Sequence, residues 1–100
     1  MNTTIHETDG TTVAVLEGRL DTAASPDAER ALQPLYHCEN RAIVLDCSKL
    51  HYISSSGLRL FLSVLKSAKP RGCRVYISGL NADLRQVFAM TGFINLFEFK

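Results

Sequence analysis

The sequence changes its hydrophobic period across residues 42–65, and that change restricts the fold more than any other feature. Ala42-Ile43-Val44-Leu45 is a short, mostly β-branched apolar run, the pattern of a strand covered on both faces. Leu58, Phe61, Leu62 and Leu65 recur at i, i+3, i+4 and i+7, the pattern of a helix's inner face. Between the two runs lie Ser54-Ser55-Ser56 and then Gly57. In α/β folds, a strand that ends in a polar turn and leads into a helix is where functional loops sit.

Three hydroxyls in a row exceed what a helix start requires, because one serine suffices to accept from the free N–H groups of the first turn. Gly57 has no side chain, which reads as leaving that turn open to an approaching group. A helix N-terminus carries partial positive charge and tolerates an anion. A phosphate on one of the hydroxyls would add a charge of about −1.5 to −2 and three acceptors without itself unfolding the helix. The same pattern is also met by serines that cap and turn the chain and do nothing else.

One hundred residues, 46% of them hydrophobic, suffice for a single domain over residues 1–100 with a real core. Eleven basic and ten acidic residues leave a net charge of +1, with no Lys or Arg run to favour nucleic acid. Cys38, Cys47 and Cys73 are odd in number and lack CxxC spacing. That argues against a disulfide framework or zinc site and for buried thiols in a reducing, cytoplasmic setting. No stretch is long and apolar enough to span a membrane, and the N-terminus has no signal-peptide pattern. GxxxxGK[ST] is missing and no His/Cys/Asp cluster suggests a metal, so no cofactor is expected. His51 lies four residues before Ser55, but there is no GxSxG elbow and no acid to orient the imidazole. The chain is therefore not expected to be an enzyme.

In order, the chain predicts a strand over 3–8, an Asp9-Gly10 hairpin turn, and an answering strand over 12–17. Residues 18–24 read as a loop in which Asp21 makes a turn or pairs with a base. Ser25 as capping hydroxyl, Pro26 and Asp27 start a helix that runs to about His37 and bends near Pro34. Its inner face is Ala28, Leu32, Leu35 and Tyr36. A strand over 41–46 precedes the serine turn, and the second helix covers 55–68. Leu60 and Val64 fall off its inner arc and are either semi-buried or an exposed apolar patch suited to protein docking. A strand over 74–78 follows, then a third helix capped by Asn81 and closed by Gly92, then a short strand over 93–99. Alternating strands and helices give an α/β layout with a mostly parallel sheet.

Asp46-Cys47-Ser48-x-Leu50-x-Tyr52-Ile53-Ser54-Ser55-Ser56-Gly57-Leu58 resembles the signature of STAS domains, in particular of anti-sigma factor antagonists. Gly18-Arg19-Leu20-Asp21 is similar to a second motif of that family, Gly-x-Leu-Asp. The resemblance covers nearly the whole chain. It implies a single STAS-like α/β domain whose mixed, mostly parallel sheet has its helices largely on one face. Members usually continue into another helix after the last strand. This sequence stops at Lys100, so the surface which that helix covers would be exposed. The resemblance further implies an antagonist that binds an anti-sigma factor of the histidine-kinase-like ATPase class and so frees a sigma factor. The anti-sigma factor, as a serine kinase, would phosphorylate Ser55, with Ser54 and Ser56 as the lesser candidates, and a PP2C-type phosphatase would reset it. Asp21, Ser54, Ser56, Gly57, Leu58, Leu60 and Val64 would line the contact. Ser54 stands where the family has Asp. The rival readings are a STAS subunit without a phosphoswitch, docked on an ABC-type lipid-transport ATPase or in a larger signalling assembly, and a STAS-like small-ligand sensor.

Overall fold

The computed structural model describes residues 1–100. Its five strands are β1 (Asn2–Thr8), β2 (Thr11–Leu20), β3 (Ala42–Ile53), β4 (Arg74–Ser78) and β5 (Glu98–Phe99), and they lie in that order across one sheet. β1 and β2 form an antiparallel hairpin, and every later pairing is parallel. Asp9 and Gly10 both adopt positive φ, as a two-residue hairpin turn of matching twist demands. The parallel strands are joined through α1 (Ser25–Ala31), α2 (Ser55–Ala68) and α3 (Ala82–Met90). A parallel pair cannot be closed by a tight turn, so each crossover carries a helix.

The helices cover one face of the sheet. Ala14 and Leu16 of β2, Ile43, Leu45 and Cys47 of β3, and Val75 and Ile77 of β4 share one continuous core with Leu58, Phe61 and Leu65 of α2 and Phe88 of α3. Val44 is the one buried apolar residue outside that core. It lies on the opposite face between its cross-strand neighbours Val13 and Tyr76, both only half-buried. The mixed sheet with helices on one face is therefore as expected.

Several boundaries differ from the sequence reading. β2 runs on to Leu20 and β3 to Ile53, so residues 47–53 are strand rather than loop. The pairing slips register between Val15 and Glu17 and again between Gly18 and Arg19. Gly18 takes φ of 107°, a conformation that costs glycine nothing. The slips change which residues face inward: burial on β3 falls at Cys47, Leu50 and Ile53, three apart, and the alternation that marks a strand disappears. The first helix ends early. After α1, Gln33–His37 forms a 3₁₀ turn, because Pro34 has no N–H for the i−4 carbonyl. The last strand is reduced to Glu98–Phe99. Gly92, at φ of 79°, instead starts a 3₁₀ turn over Phe93–Asn95. That turn delivers Phe97 into the core, its ring 6.2 Å from that of Phe88.

α2 is buried more widely than one helical arc. Leu60 and Val64 are only 7% and 1% exposed, so they are not the exposed apolar patch that was one of the two expectations. α1 and the 3₁₀ turn after it pack along the flank of α2 that the sheet leaves uncovered. All three cysteines are free and buried. Burial, with the Asp46 carboxylate beside it, pushes the Cys47 thiol up to about 12, so it is a neutral apolar group within the core.

Candidate functional site

The site forms where β2 and β3 end together. Leu20 pairs with Ile53, and the N–H of Ser54 donates to the carbonyl of Leu20 (2.9 Å). Ser54 therefore has extended geometry (φ −89°, ψ 172°), and the chain turns directly into α2. Its hydroxyl accepts the N–H of Gly57 (3.2 Å), one of the donors that a first helical turn leaves free. Ser54 is thus the cap, 9% exposed, with its oxygen held in the turn. Ser54→Ala is expected to lower stability by about 1 kcal/mol in urea denaturation, with the unfolding slope unchanged.

The three serines, alike in sequence, have different surroundings. Ser56 is half-buried and its Oγ accepts from Arg59 Nη2 at 3.4 Å. Ser55, the first residue of α2, is exposed, and its hydroxyl has no hydrogen-bond partner in the protein. No histidine or carboxylate is bonded to it, so nothing activates it as a nucleophile within this chain. His51 is exposed and makes no bond to Ser55. The arrangement offers a free primary hydroxyl, open to a second molecule, beside the unpaired amides of a helix start.

Two further expected contacts face inward. A Cβ at Gly57 would lie 2.8 Å from Ile53 Cγ1 and from Leu20 Cγ, and 2.9 Å from Leu20 Cδ2. Gly57 lets the start of α2 sit against the ends of β2 and β3. It does not hold the turn open to solvent, which corrects the sequence reading. Leu58 is 6% exposed and belongs to the core. With Val64, these residues support the site from beneath, whereas Leu60, also largely buried, still lines the groove between α1 and α2.

Asp21 directly follows Leu20 and so abuts the serine turn. Its Oδ1 accepts the N–H of Ala24 (2.9 Å), while Ser25 donates to its carbonyl from both N–H (3.1 Å) and Oγ (3.0 Å). Asp21 therefore makes the turn. Ser25 is not the cap: Ala24 is, and its methyl side chain has no acceptor to offer the first turn. A groove of ≈ 380 Å³ separates the starts of α1 and α2, with Thr22, Ser25 and Glu29 on one wall and Ser56 and Arg59 on the other. The sequence reading did not single out this groove. The available signal was Arg59, four residues after Ser55 and hence on the same helix face. It also missed Tyr52, 40% exposed at the same end of the sheet, with the Arg19 guanidinium 4.4 Å above its ring.

No group of three or more His, Cys, Asp and Glu side chains is placed to hold a metal ion. No helix is long and apolar enough to cross a membrane.

The STAS domain model matches residues 2–100, and the chain belongs to the STAS family. BtrV of Bordetella bronchiseptica, described provisionally as an anti-sigma factor antagonist, is 33% identical over 97 residues, covering 97% of this chain and 84% of its own length. The anti-sigma-B factor antagonist of Staphylococcus aureus is 30% identical over 79 residues, covering 79% of this chain and 73% of its own. Among solved structures, the Bacillus cell fate determinant SpoIIAA in its phosphorylated form superposes with a TM-score of 0.73. It is 20% identical, and the match covers 99% of this chain and 91% of that one.

Proposed function

We propose that this chain is an anti-sigma factor antagonist that acts by binding rather than by catalysis, and that phosphorylation of Ser55 switches it off. The observation that carries the reading is the separate surroundings of the three serines. Ser54 is buried and committed to the cap, Ser56 is half-buried with a long, weak bond from Arg59, and Ser55 alone is exposed and unbonded. The names of the two relatives and the existence of a phosphorylated form of SpoIIAA support it.

The unmodified chain docks on an anti-sigma factor through the surface around Ser55, Ser56 and Asp21, with the groove beside it. The anti-sigma factor belongs to the histidine-kinase-like ATPase class and is also the kinase. In the transfer, Ser55 Oγ attacks the γ-phosphorus of ATP. The Oγ–P bond forms, the bond to the β-phosphate oxygen breaks, ADP leaves, and the kinase's base takes the hydroxyl proton. ATP and Mg²⁺ belong to the kinase, and this chain supplies only the acceptor. A PP2C-type phosphatase hydrolyses the ester and restores the hydroxyl.

The test uses the anti-sigma factor that co-purifies with the unmodified chain. With ATP and Mg²⁺, one phosphate is expected on the wild type, mapped to Ser55 by fragmentation mass spectrometry, and none on Ser55→Ala. Phosphate entering Ser55→Ala at the wild-type rate would refute the assignment.

A further inference from the structure

We propose that Arg59 is the internal counter-ion of a phosphate on Ser55, leaving Ser56 for the phosphate when the chain is modified. The inference rests on the reading of Ser55 as the modified residue. It adds how the modified state is held and what it removes from the docking groove.

Ser55 opens α2 and Arg59 follows four residues on, the spacing that places two side chains on one helix face. Arg59 is exposed, and its guanidinium already reaches back toward the helix start, where Nη2 donates to Ser56 Oγ at 3.4 Å. A bond of that length from an exposed guanidinium to a half-buried hydroxyl holds the arginine only weakly. No carboxylate holds it either. The ion pairs of the chain are Arg30–Asp27 and Arg41–Glu7, and Arg59 is in neither. Glu29 of α1 lines the same groove without reaching it, and Asp21 Oδ1 is taken by the Ala24 N–H. Residue 54 is serine, so no negative side chain stands immediately before Ser55 to compete.

A phosphate on Ser55 would therefore be the strongest acceptor within one turn of an uncommitted guanidinium, whose planar fork suits phosphate oxygens. Arg59 is also the only basic residue lining the groove between α1 and α2. Drawing it onto the phosphate would withdraw the groove's positive charge in the same step that places negative charge at its rim. A partner that used both features would lose both from one modification.

The test installs phosphoserine at position 55 of the full chain during synthesis, so it needs no kinase. Phosphorus NMR then follows the second ionisation of the ester, which lies near pH ~6 for an unperturbed group. The phosphate of the wild-type chain is expected to titrate about half a pH unit below that of R59Q, a size that an exposed charge pair supports. R59K is expected to recover most of the difference, which a loss of packing alone would not allow. The amides of the helix start are common to all three chains and cancel in the comparison. Coincident titration of wild type and R59Q would overturn the proposal. Failure of the underlying reading appears elsewhere, as absence of phosphate at Ser55 in the kinase assay, and does not alter this titration.

Discussion

Gly57→Val is expected to lower the unfolding free energy by about 3 kcal/mol, the upper part of the range for overpacked cores. The first added carbon would stand 2.8 Å from Ile53 Cγ1 and Leu20 Cγ, atoms close to their backbones rather than at the ends of flexible side chains. Leu20 is fully buried and Ile53 is 4% exposed, so neither has room to retreat. The branched methyls of valine extend the same conflict, and their stiffness in a helix adds to it. α2 would have to lift from the ends of β2 and β3, straining the bond from Ser54 N–H to Leu20 carbonyl that positions the serine turn. Gly57→Ala separates the causes. Alanine gains up to about 1 kcal/mol of helix propensity over glycine. A net loss of about 1 kcal/mol for alanine and a larger one for valine would identify steric conflict rather than helix propensity. Urea denaturation gives both values. A Val variant as stable as wild type would show that α2 does not depend on this close approach.

That glycine shows where the sequence informs and where it does not. α2 at Ser55–Ala68 and β4 at Arg74–Ser78 match the sequence reading residue for residue. Where hydrophobic period, capping residue and chain breaker agree, the ends are legible: one of the three serines caps α2, Asn81 accepts the expected N–H of α3, and Gly92 turns left-handed after it. The far end of β3 was illegible because two register slips against β2 erase its alternation, and nothing local to the sequence marks a slip. β2 keeps alternating to Leu20, but across a glycine, Gly18, that reads as the start of a loop. Leu60 and Val64 were ambiguous because a helical wheel assumes one covering surface, whereas α2 has the sheet on one side and α1 on another. The site was legible as a place and not as a division of labour. Three adjacent serines are chemically identical, and only the position of the Leu20 carbonyl decides which of them becomes the cap. Gly57 was legible as a requirement for no side chain, but not for the direction that side chain would take.

Ser55→Asp is expected to weaken binding to the anti-sigma factor by on the order of a hundredfold, about 2.7 kcal/mol, with the fold unchanged. Two arguments set that expectation. Ser55 is exposed at the first position of α2, where the helix start favours a carboxylate by a few tenths of a kcal/mol, so the variant should be no less stable than wild type. In a complex the same carboxylate loses water, and the nearest charge able to compensate it is Arg59, already weakly engaged with Ser56. Docking must then either bury an unpaired charge or draw Arg59 out of the groove, and both oppose association. Ser55→Asn carries nearly the same volume without the charge and is expected to bind within about tenfold of wild type, so the difference between the variants measures charge rather than size. Calorimetric titration at low and high salt reads both, and the gap between Asp and Asn should narrow as salt screens the exposed part of the repulsion. Equal affinities for Ser55→Asp and wild type, with both folded, would mean that the partner does not cover this hydroxyl. Phosphorylation there could not then act by repelling it.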